Sequence, residues 1–345
     1  MRTTLLLLLT IFLLLCCGCQ RLILGDEEAN DPVNNFELFW QDFDAHYGLF
    51  AARGWDWDSI YTEFRPQVTP ATTDEELFGV FREMITYLDD SHTFVYWPGQ
   101  AFFASNSETD EQTEAEFSLP QLLDRIEIAD SSSAEGYYYG TLRDHDIGYL
   151  YLAGVEMEDE DFGDQLLRAV GHHAAIIIDL RNNSGGSDLV AARLAGRFAD
   201  EIRLAYTVQE RNGPAHDDLS GKREYFLRPL GETRFRKPVV VLTDNITVSA
   251  AEVFLNYIKL IPDVTQIGTA TSGDFSDTGM RRFLPNGFQY QYSIMQFLGP
   301  DGRSLDGVGH VPEVEVRNTE AAVGVGEDLV LARALEFLWE RYKIR

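Results

Sequence analysis

Apolar side chains recur along the first part of this chain at helical spacing. In FELFWQDFDAHYGLF they fall at Phe36, Phe39, Trp40, Phe43, Tyr47 and Phe50, one stripe of a helix. A second helix is announced by Thr73-Asp-Glu-Glu76, where a Thr hydroxyl and a Glu carboxylate three residues on can each satisfy a free backbone N–H. Its stripe is Leu77, Val80, Phe81, Met84, Ile85 and Leu88, and it stops at LDDSHTFV. Residues 36–98 are therefore expected as a small helical subdomain whose last helix delivers Ser91 and His92 into a loop or strand start. From 99 to 140 the period lapses into acidic, Ser-rich chain with little to bury, including SNSETDEQTEAEF, and a mobile connector is predicted there.

The pattern then changes to strands and helices in alternation. IGYLYLAGV (147–155) predicts a strand and residues 159–170 a helix. AAIIIDLRNNSGG (174–186) is a short apolar run ending in Gly-Gly, as expected of a parallel strand buried on both faces. The helix DLVAARLAGRFA, the strand KPVVVLTD (237–244) and the helix SAAEVFLNYIKLI follow. This order implies crossover βαβ units and an α/β core domain over 141–345. Sites in such sheets lie at the carboxyl ends of the strands, where Gly185-Gly186 and Ser249 both fall. On local pattern alone Ser249 reads more readily as a helix cap than as a nucleophile, Gly-Gly as a turn rather than an oxyanion site, and His92 as an ordinary polar histidine.

The amino terminus adds a leader. One basic residue, Arg2, precedes a Leu-rich run from Leu5 to Cys17, too short for a bilayer core that needs about 20 residues. With Gly18 before Cys19 this predicts a signal peptide over 1–19, followed by an acidic tether over 20–35. The Gly-Cys ending resembles a bacterial lipoprotein signal, which implies lipidation of Cys19, although Cys16 stands where such signals carry an aliphatic residue. A plain secretory signal cleaved nearby is the alternative. All three cysteines lie in this segment, leaving none for a disulfide in the mature domain. The formal net charge of −28, with 28 Lys+Arg against 56 Asp+Glu, argues against nucleic acid or an anionic membrane surface as partner. No phosphate loop, dinucleotide fingerprint or HExxH is present, so no cofactor and no metal are expected. His172-His173 lack metal-ligand spacing and read as a surface pair.

Several short segments occur here in a telling order: LDDSHT, IIIDLRNNSGG, TVSAAEVF, TATSG, LPNG and DGRSLDGVGHVPE. Together they resemble the tail-specific and tricorn-core serine peptidases, a family that includes the interphotoreceptor retinoid-binding proteins. The resemblance spans roughly residues 36–316 and implies a ClpP/crotonase-like fold. Tail-specific members use a Ser–Lys dyad, whose Lys follows a T-x-G segment. Here that segment is Thr271-Ser272-Gly273, followed by Asp274, and Lys259 lies within the helix after Ser249. Tricorn-type members use a Ser-His dipeptide that matches Ser91-His92.

The resemblance thus implies Ser249 as nucleophile and His92 as its base, with an oxyanion hole from backbone N–H groups of Gly185-Gly186 and Ala250. Asp306, where the family carries Glu, would act through Ser91; Glu252 is a second acid candidate, equally readable as a first-turn helix acid. His310 reads as structural. About 50 residues separate His92 from the DIGYLYL strand, too few for the PDZ module of tail-specific members. The expected protein is a lipid-anchored serine endopeptidase of the bacterial cell envelope, at the outer membrane if the host has two membranes. It would cleave peptides or unfolded protein segments through an acyl-enzyme. The alternative is a non-catalytic lipoprotein binding a peptide or apolar ligand on the same fold.

Overall fold

A computed structural model describes residues 29–106 and 115–345. The predicted leader with Cys19, most of the tether and part of the connector lie outside the described residues. Helix α1 (Pro32–His46) starts on Asp31, whose carboxylate accepts the Asn34 N–H at 3.1 Å. It ends four residues before the predicted stripe does, because the Gly48 N–H turns away to the Ser293 carbonyl at 2.9 Å. A Cβ at Gly48 would lie 2.6 Å from the Ile294 carbonyl carbon, so only Gly permits this approach. Helices α2 (Phe50–Arg53), α3 (Trp57–Phe64) and α4 (Asp74–Thr86) follow. The capping box of α4 is formed: Glu76 N–H meets Thr73 Oγ1 at 3.2 Å, and Thr73 N–H meets Glu76 Oε2 at 2.8 Å. The two stripes pack face to face, with the Phe39 and Phe81 rings 4.0 Å apart.

Strands β1 (Phe94–Trp97) and β2 (Ala101–Ala104) come next, then the short helix α5 (Leu119–Leu123) and strands β3 (Ile126–Ser132), β4 (Tyr137–Leu142) and β5 (Ile147–Leu152). Here the expectation of a mobile connector is corrected, since β3 and β4 extend the main sheet antiparallel to β5. The reason is positional. β3 is the sheet's edge and mostly exposed, so IEIADSS needs no apolar alternation to pair.

The core continues through α6 (Phe162–Val170), β6 (Ala175–Asp179), α7 (Asp188–Gly196), β7 (Arg203–Glu210), β8 (Arg223–Leu227), β9 (Val239–Thr243), α8 (Ala250–Ile258) and β10 (Val264–Gly268). It closes with β11 (Arg282–Phe283), β12 (Gln289–Gln291), β13 (Met295–Leu298), β14 (Val314–Glu315), α9 (Glu320–Gly324) and α10 (Leu329–Tyr342). The large sheet has the order β14-β10-β9-β6-β5-β4-β3, parallel from β14 to β5. Alternate residues of β6 face opposite cores. Ile176 and Ile178 meet α6, α7 and α8, while Ala175 and Ile177 lie on the side covered by α10. Two covered faces explain the unbroken apolar runs of β6 and β9. Helix α8 is buried along all its residues; seven of the nine are apolar, with Glu252 and Asn256 the polar exceptions.

The helical subdomain is not a continuous piece of chain. Strands β11 and β12 return to pair beside β1, and Leu284, Phe288, Tyr290 and Tyr292 complete the aromatic core around Phe39 and Phe43. The chain then leaves this sheet through β13, which pairs with β7.

Candidate active site

Two loops at the carboxyl edge of the sheet are fastened to each other before any catalytic group is considered. After β9, Asp244 accepts the Ile246 and Thr247 N–H groups at 3.0 Å with one carboxylate oxygen and the Asn182 N–H at 2.8 Å with the other. Thr247 donates its hydroxyl to the Leu180 carbonyl at 2.8 Å, and the Val248 N–H reaches the Asn183 carbonyl at 3.2 Å. The loop after β6 is thereby held against the loop that carries Ser249. A Cβ at Gly185 would fall 2.6 Å from Ser249 Cβ and 3.2 Å from its Oγ, and Gly185 has φ +90°. Both facts require glycine there.

Ser249 occupies the N-cap position of α8 in a capping-box arrangement with Glu252, but the Glu252 N–H is directed to the Ser249 carbonyl at 2.8 Å and not to its hydroxyl, and the Ser249 backbone sits at φ 59°, ψ −125°. Non-glycine residues rarely adopt this conformation; it costs on the order of 1–3 kcal/mol and persists where surrounding bonds over-determine it. Those bonds are present: the Ser249 N–H donates to the Asp274 carbonyl at 3.1 Å and faces Glu252 Oε2 at 3.3 Å. The result is a hydroxyl freed from capping at the positive end of a helix. Among the described residues, neither the Gly186 nor the Ala250 N–H has an acceptor. The Gly185 N–H, by contrast, is taken by Asn183 Oδ1 at 2.9 Å. Of the three expected oxyanion donors, Gly186 and Ala250 are free, whereas Gly185 serves by its missing side chain and not by its N–H.

His92 follows α4 in a turn built on Asp90. That buried carboxylate accepts the His92 N–H at 3.0 Å, the Thr93 hydroxyl at 2.8 Å and the Tyr47 hydroxyl at 3.1 Å. Burial raises the Asp90 pKa, but the charges of Arg53 and His92 and the hydroxyl donors outweigh it and leave the group below the usual range. Ser249 and the Ser91-His92 turn meet on one residue, Asp274. Its carbonyl takes the Ser249 N–H, and its carboxylate takes the Ser91 N–H at 3.2 Å. Arg53, at the end of α2, bonds the Leu88 carbonyl at 3.1 Å, the Gly273 carbonyl at 3.0 Å, the Asp89 carbonyl and the Asp274 carboxylate. A single buried guanidinium thus ties the helical subdomain to the loop behind Ser249.

The acids fall differently from expectation. Asp306 does not bond Ser91: its Oδ2 accepts the Ser304 hydroxyl at 2.7 Å and the Phe297 N–H at 3.3 Å. Ser91 Oγ, His92 Nδ1 and Asp306 Oδ1 are buried without a partner among the described residues. The shorter side chain explains the miss, since Asp at this place is captured by its own Ser304 turn. Glu252 faces the turn after β10, where it accepts Thr271 Oγ1 at 2.5 Å, the Gly273 N–H at 2.8 Å and the Asp274 N–H at 2.9 Å. Burial and the Asp274 charge push Glu252 up to about 8 despite these donors. It braces the Ser249 backbone and the Asp274 turn together.

The remaining candidates are structural. Lys259 lies at the far end of α8, paired with Glu313 at 3.1 Å and bonded to Gln266 and the Val311 carbonyl. Nine helical residues separate it from Ser249, about 15 Å along the axis. His310 is buried, and its Nε2 bonds the Glu252 carbonyl at 3.1 Å. Burial and the Lys259 charge push it down to about 3, so it is neutral at ordinary pH. His173 is not the surface residue expected: it is buried, with Nδ1 on Asp146 and Nε2 on Thr141, each at 2.9 Å. Arg53, Asp90 and Asn183 carry no period or spacing that marks them in sequence. Asp90 could have been sought only through its place in LDDSHT.

Burial pushes Asp306 up to about 7, which fixes the sign of its effect on stability. Between its ordinary range near 4 and about 7, the native state keeps a proton that the unfolded chain loses. Its contribution is therefore full below pH 4 and is lost as pH rises to about 7. Asp306→Asn keeps an acceptor for Ser304 and Phe297 but cannot ionise. In thermal melts it should match wild type near pH 4 and exceed it by about 2–6 °C at pH 8. A lower Tm at both pH values would contradict this assignment.

The geometry can be set beside known proteins. Residues 146–316 match the model of peptidase family S41, and residues 29–86 match that of the tricorn protease C1 domain. The chain belongs to the S41 peptidases. The carboxy-terminal processing protease CtpA of Bacillus subtilis is 26% identical over 183 residues, 51% of this chain and 36% of that protein. A CtpA-like serine protease of Staphylococcus epidermidis is 30% identical over 141 residues, 41% of this chain and 27% of the relative. The match thus spans about a third or less of these curated relatives. Among solved structures, a candidate peptidase from Parabacteroides merdae aligns over 90% of this chain and 97% of its own, with a TM-score of 0.81 and 28% identity. The tricorn protease aligns over 90% of this chain and 36% of its own, with a TM-score of 0.56 and 17% identity, a likeness of fold alone.

Proposed function

We propose that the protein is a serine endopeptidase acting on peptides or unfolded protein segments through an acyl-enzyme on Ser249. The observation that carries this reading is the strained, uncapped Ser249 beside two backbone N–H groups with no acceptor. A Ser hydroxyl is a weak nucleophile until a base takes its proton, and His92 is the base of this reading. Ser249 Oγ attacks the substrate carbonyl while its proton passes to His92. The oxyanion that forms is met by Gly186 N–H and Ala250 N–H at the helix N-terminus, where the peptide dipoles favour negative charge. Collapse of the adduct breaks the C–N bond as the imidazolium returns the proton to the leaving amine. Water, deprotonated by His92, then releases the acyl group. That the relatives are described as proteases does not favour the ligand-binding alternative. Purified wild-type protein should release fluorescent peptides from labelled, unfolded casein, and Ser249→Ala should not. Equal release by the two would overturn the proposal.

We also infer that lipid on Cys19 holds the enzyme at the cell envelope, on the outer membrane in a host with two membranes, since Gln20 rather than Asp follows the Cys. The Leu-rich leader ending in Gly18-Cys19 supports this. Cys19→Ala should shift the protein out of the membrane fraction or block leader processing. Unmodified Cys19 in the wild type by mass spectrometry would sink the idea.

A further inference from the structure

The residue that most directly joins the two halves of this site is one for which neither its motif nor the proposed chemistry assigns a part. Asp274 stands where tail-specific peptidases carry the Lys of their dyad. Its carboxylate accepts the Ser91 N–H at 3.2 Å, the Ser272 hydroxyl at 2.5 Å and the Arg53 guanidinium; burial and the Asp90 charge raise its pKa, and these donors oppose that shift and favour the ionised form. Its own N–H donates to Glu252 at 2.9 Å, and its carbonyl takes the Ser249 N–H at 3.1 Å. Neither other acid is so placed. Glu252 spends its oxygens on the 271–274 turn and the Ser249 backbone, and Asp306 on Ser304 and Phe297.

We propose that Asp274 is the positioning carboxylate of this enzyme: it holds the Ser91-His92 turn against Ser249 and stabilises the imidazolium formed when His92 accepts the Ser249 proton. The proposal rests on the peptidase reading above. Its electrostatic half follows from the charges around the turn. Arg53 from α2 faces three buried carboxyls, Asp90, Asp274 and Asp306, with Glu252 and the Tyr47 hydroxyl beside them. One fixed cation among several acids leaves room for a second positive charge, which His92 supplies on protonation. A protonated His92 attracts both Asp90 and Asp274. A Lys at 274 would instead place two cations side by side next to the imidazole and oppose its protonation. Exchange of Lys for Asp at this point matches the exchange of an amine base for an imidazole. No proton moves to or from Asp274 in the cycle.

The test measures the rate of Ser249 labelling by a fluorophosphonate across pH, with melting temperatures, for the full chain and for Asp274→Asn, Asp274→Glu and Asp306→Asn. Loss of the charge should weaken the imidazole as a base. In Asp274→Asn the acid limb of the profile should move to lower pH by on the order of one unit, with the plateau rate down about tenfold or more. Asp274→Glu should keep the wild-type limb even where its rate falls, and Asp306→Asn should displace the limb by less than Asp274→Asn does. An Asn variant with the wild-type limb, its rate loss tracking its Tm, would overturn the proposal. Should the Asn variant not fold, displacement of the limb in the Glu variant overturns it. Wild-type protein that is not labelled at all refutes the peptidase reading itself, a result distinct from either.

Discussion

Replacing His92 with alanine should lower turnover of an unfolded-protein substrate by about 10²- to 10⁴-fold, the range a positioned general base contributes. The fold should survive. His92 Nδ1 has no hydrogen-bond partner among the described residues, and the turn is held by Asp90 through the His92 backbone N–H, which alanine retains. Melting temperature should therefore change by no more than about 2 °C, as for a substitution that breaks no buried network. Lys259→Ala is the matched control. Lys259 pairs with Glu313 at the opposite end of α8, so its loss should leave turnover intact. Steady-state kinetics on both variants decide between an imidazole and an amine base. Near-normal turnover in His92→Ala, or abolished turnover in a folded Lys259→Ala, would reverse the assignment.

Arg53→Met should give the largest loss of stability of any substitution considered. The guanidinium is buried and bonds three backbone carbonyls and the Asp274 carboxylate. Removal of one partner from a buried ion pair typically costs about 3–5 kcal/mol, because the remaining charge stays in a medium that solvates it poorly. Here Asp90, Asp274 and Asp306 would lose their shared cation. A fall in Tm on the order of 10 °C is expected. The same change should slow turnover beyond what instability explains, since Arg53 fastens the subdomain bearing His92 to the loop behind Ser249. Thermal melts, with activity measured well below the variant's Tm, separate the two effects. A Tm within about 2 °C of wild type would show that the network does not hold the subdomain to the core.

These two side chains also mark where the sequence is and is not legible. The helical stripes around Phe39 and Phe81, the Thr73–Glu76 box and the apolar runs of β6 and β9 each follow a local period, and they form the elements that period predicts. Ser249 at a strand-to-helix junction is visible for the same reason. Arg53 is not, because its partner Asp274 lies 221 residues away and no short-range pattern links them. Asp274 reads in sequence as the lack of a lysine, whereas in the fold it touches both halves of the site. The β3–β4 edge is hidden because an exposed edge strand can be polar, and the return of Leu284–Tyr292 because its strands are only two or three residues long.

Asp306 illustrates the limit of motif matching. The family pattern puts an acid at this place, and Asp supplies one. Shortened by about one C–C bond, however, it is held by Ser304 and Phe297, and Ser91 Oγ is left without a partner among the described residues. Residue type carries over from a motif, but reach does not.

The proposed chemistry turns on Ser249 as a nucleophile activated by His92. Intact-mass and peptide-mapping mass spectrometry after brief exposure to a fluorophosphonate tests it most directly. One adduct per chain is expected, located on Ser249, formed by wild-type protein and suppressed on the same timescale in folded His92→Ala. An unmodified Ser249 in wild-type protein, or equal modification with and without His92, would contradict it.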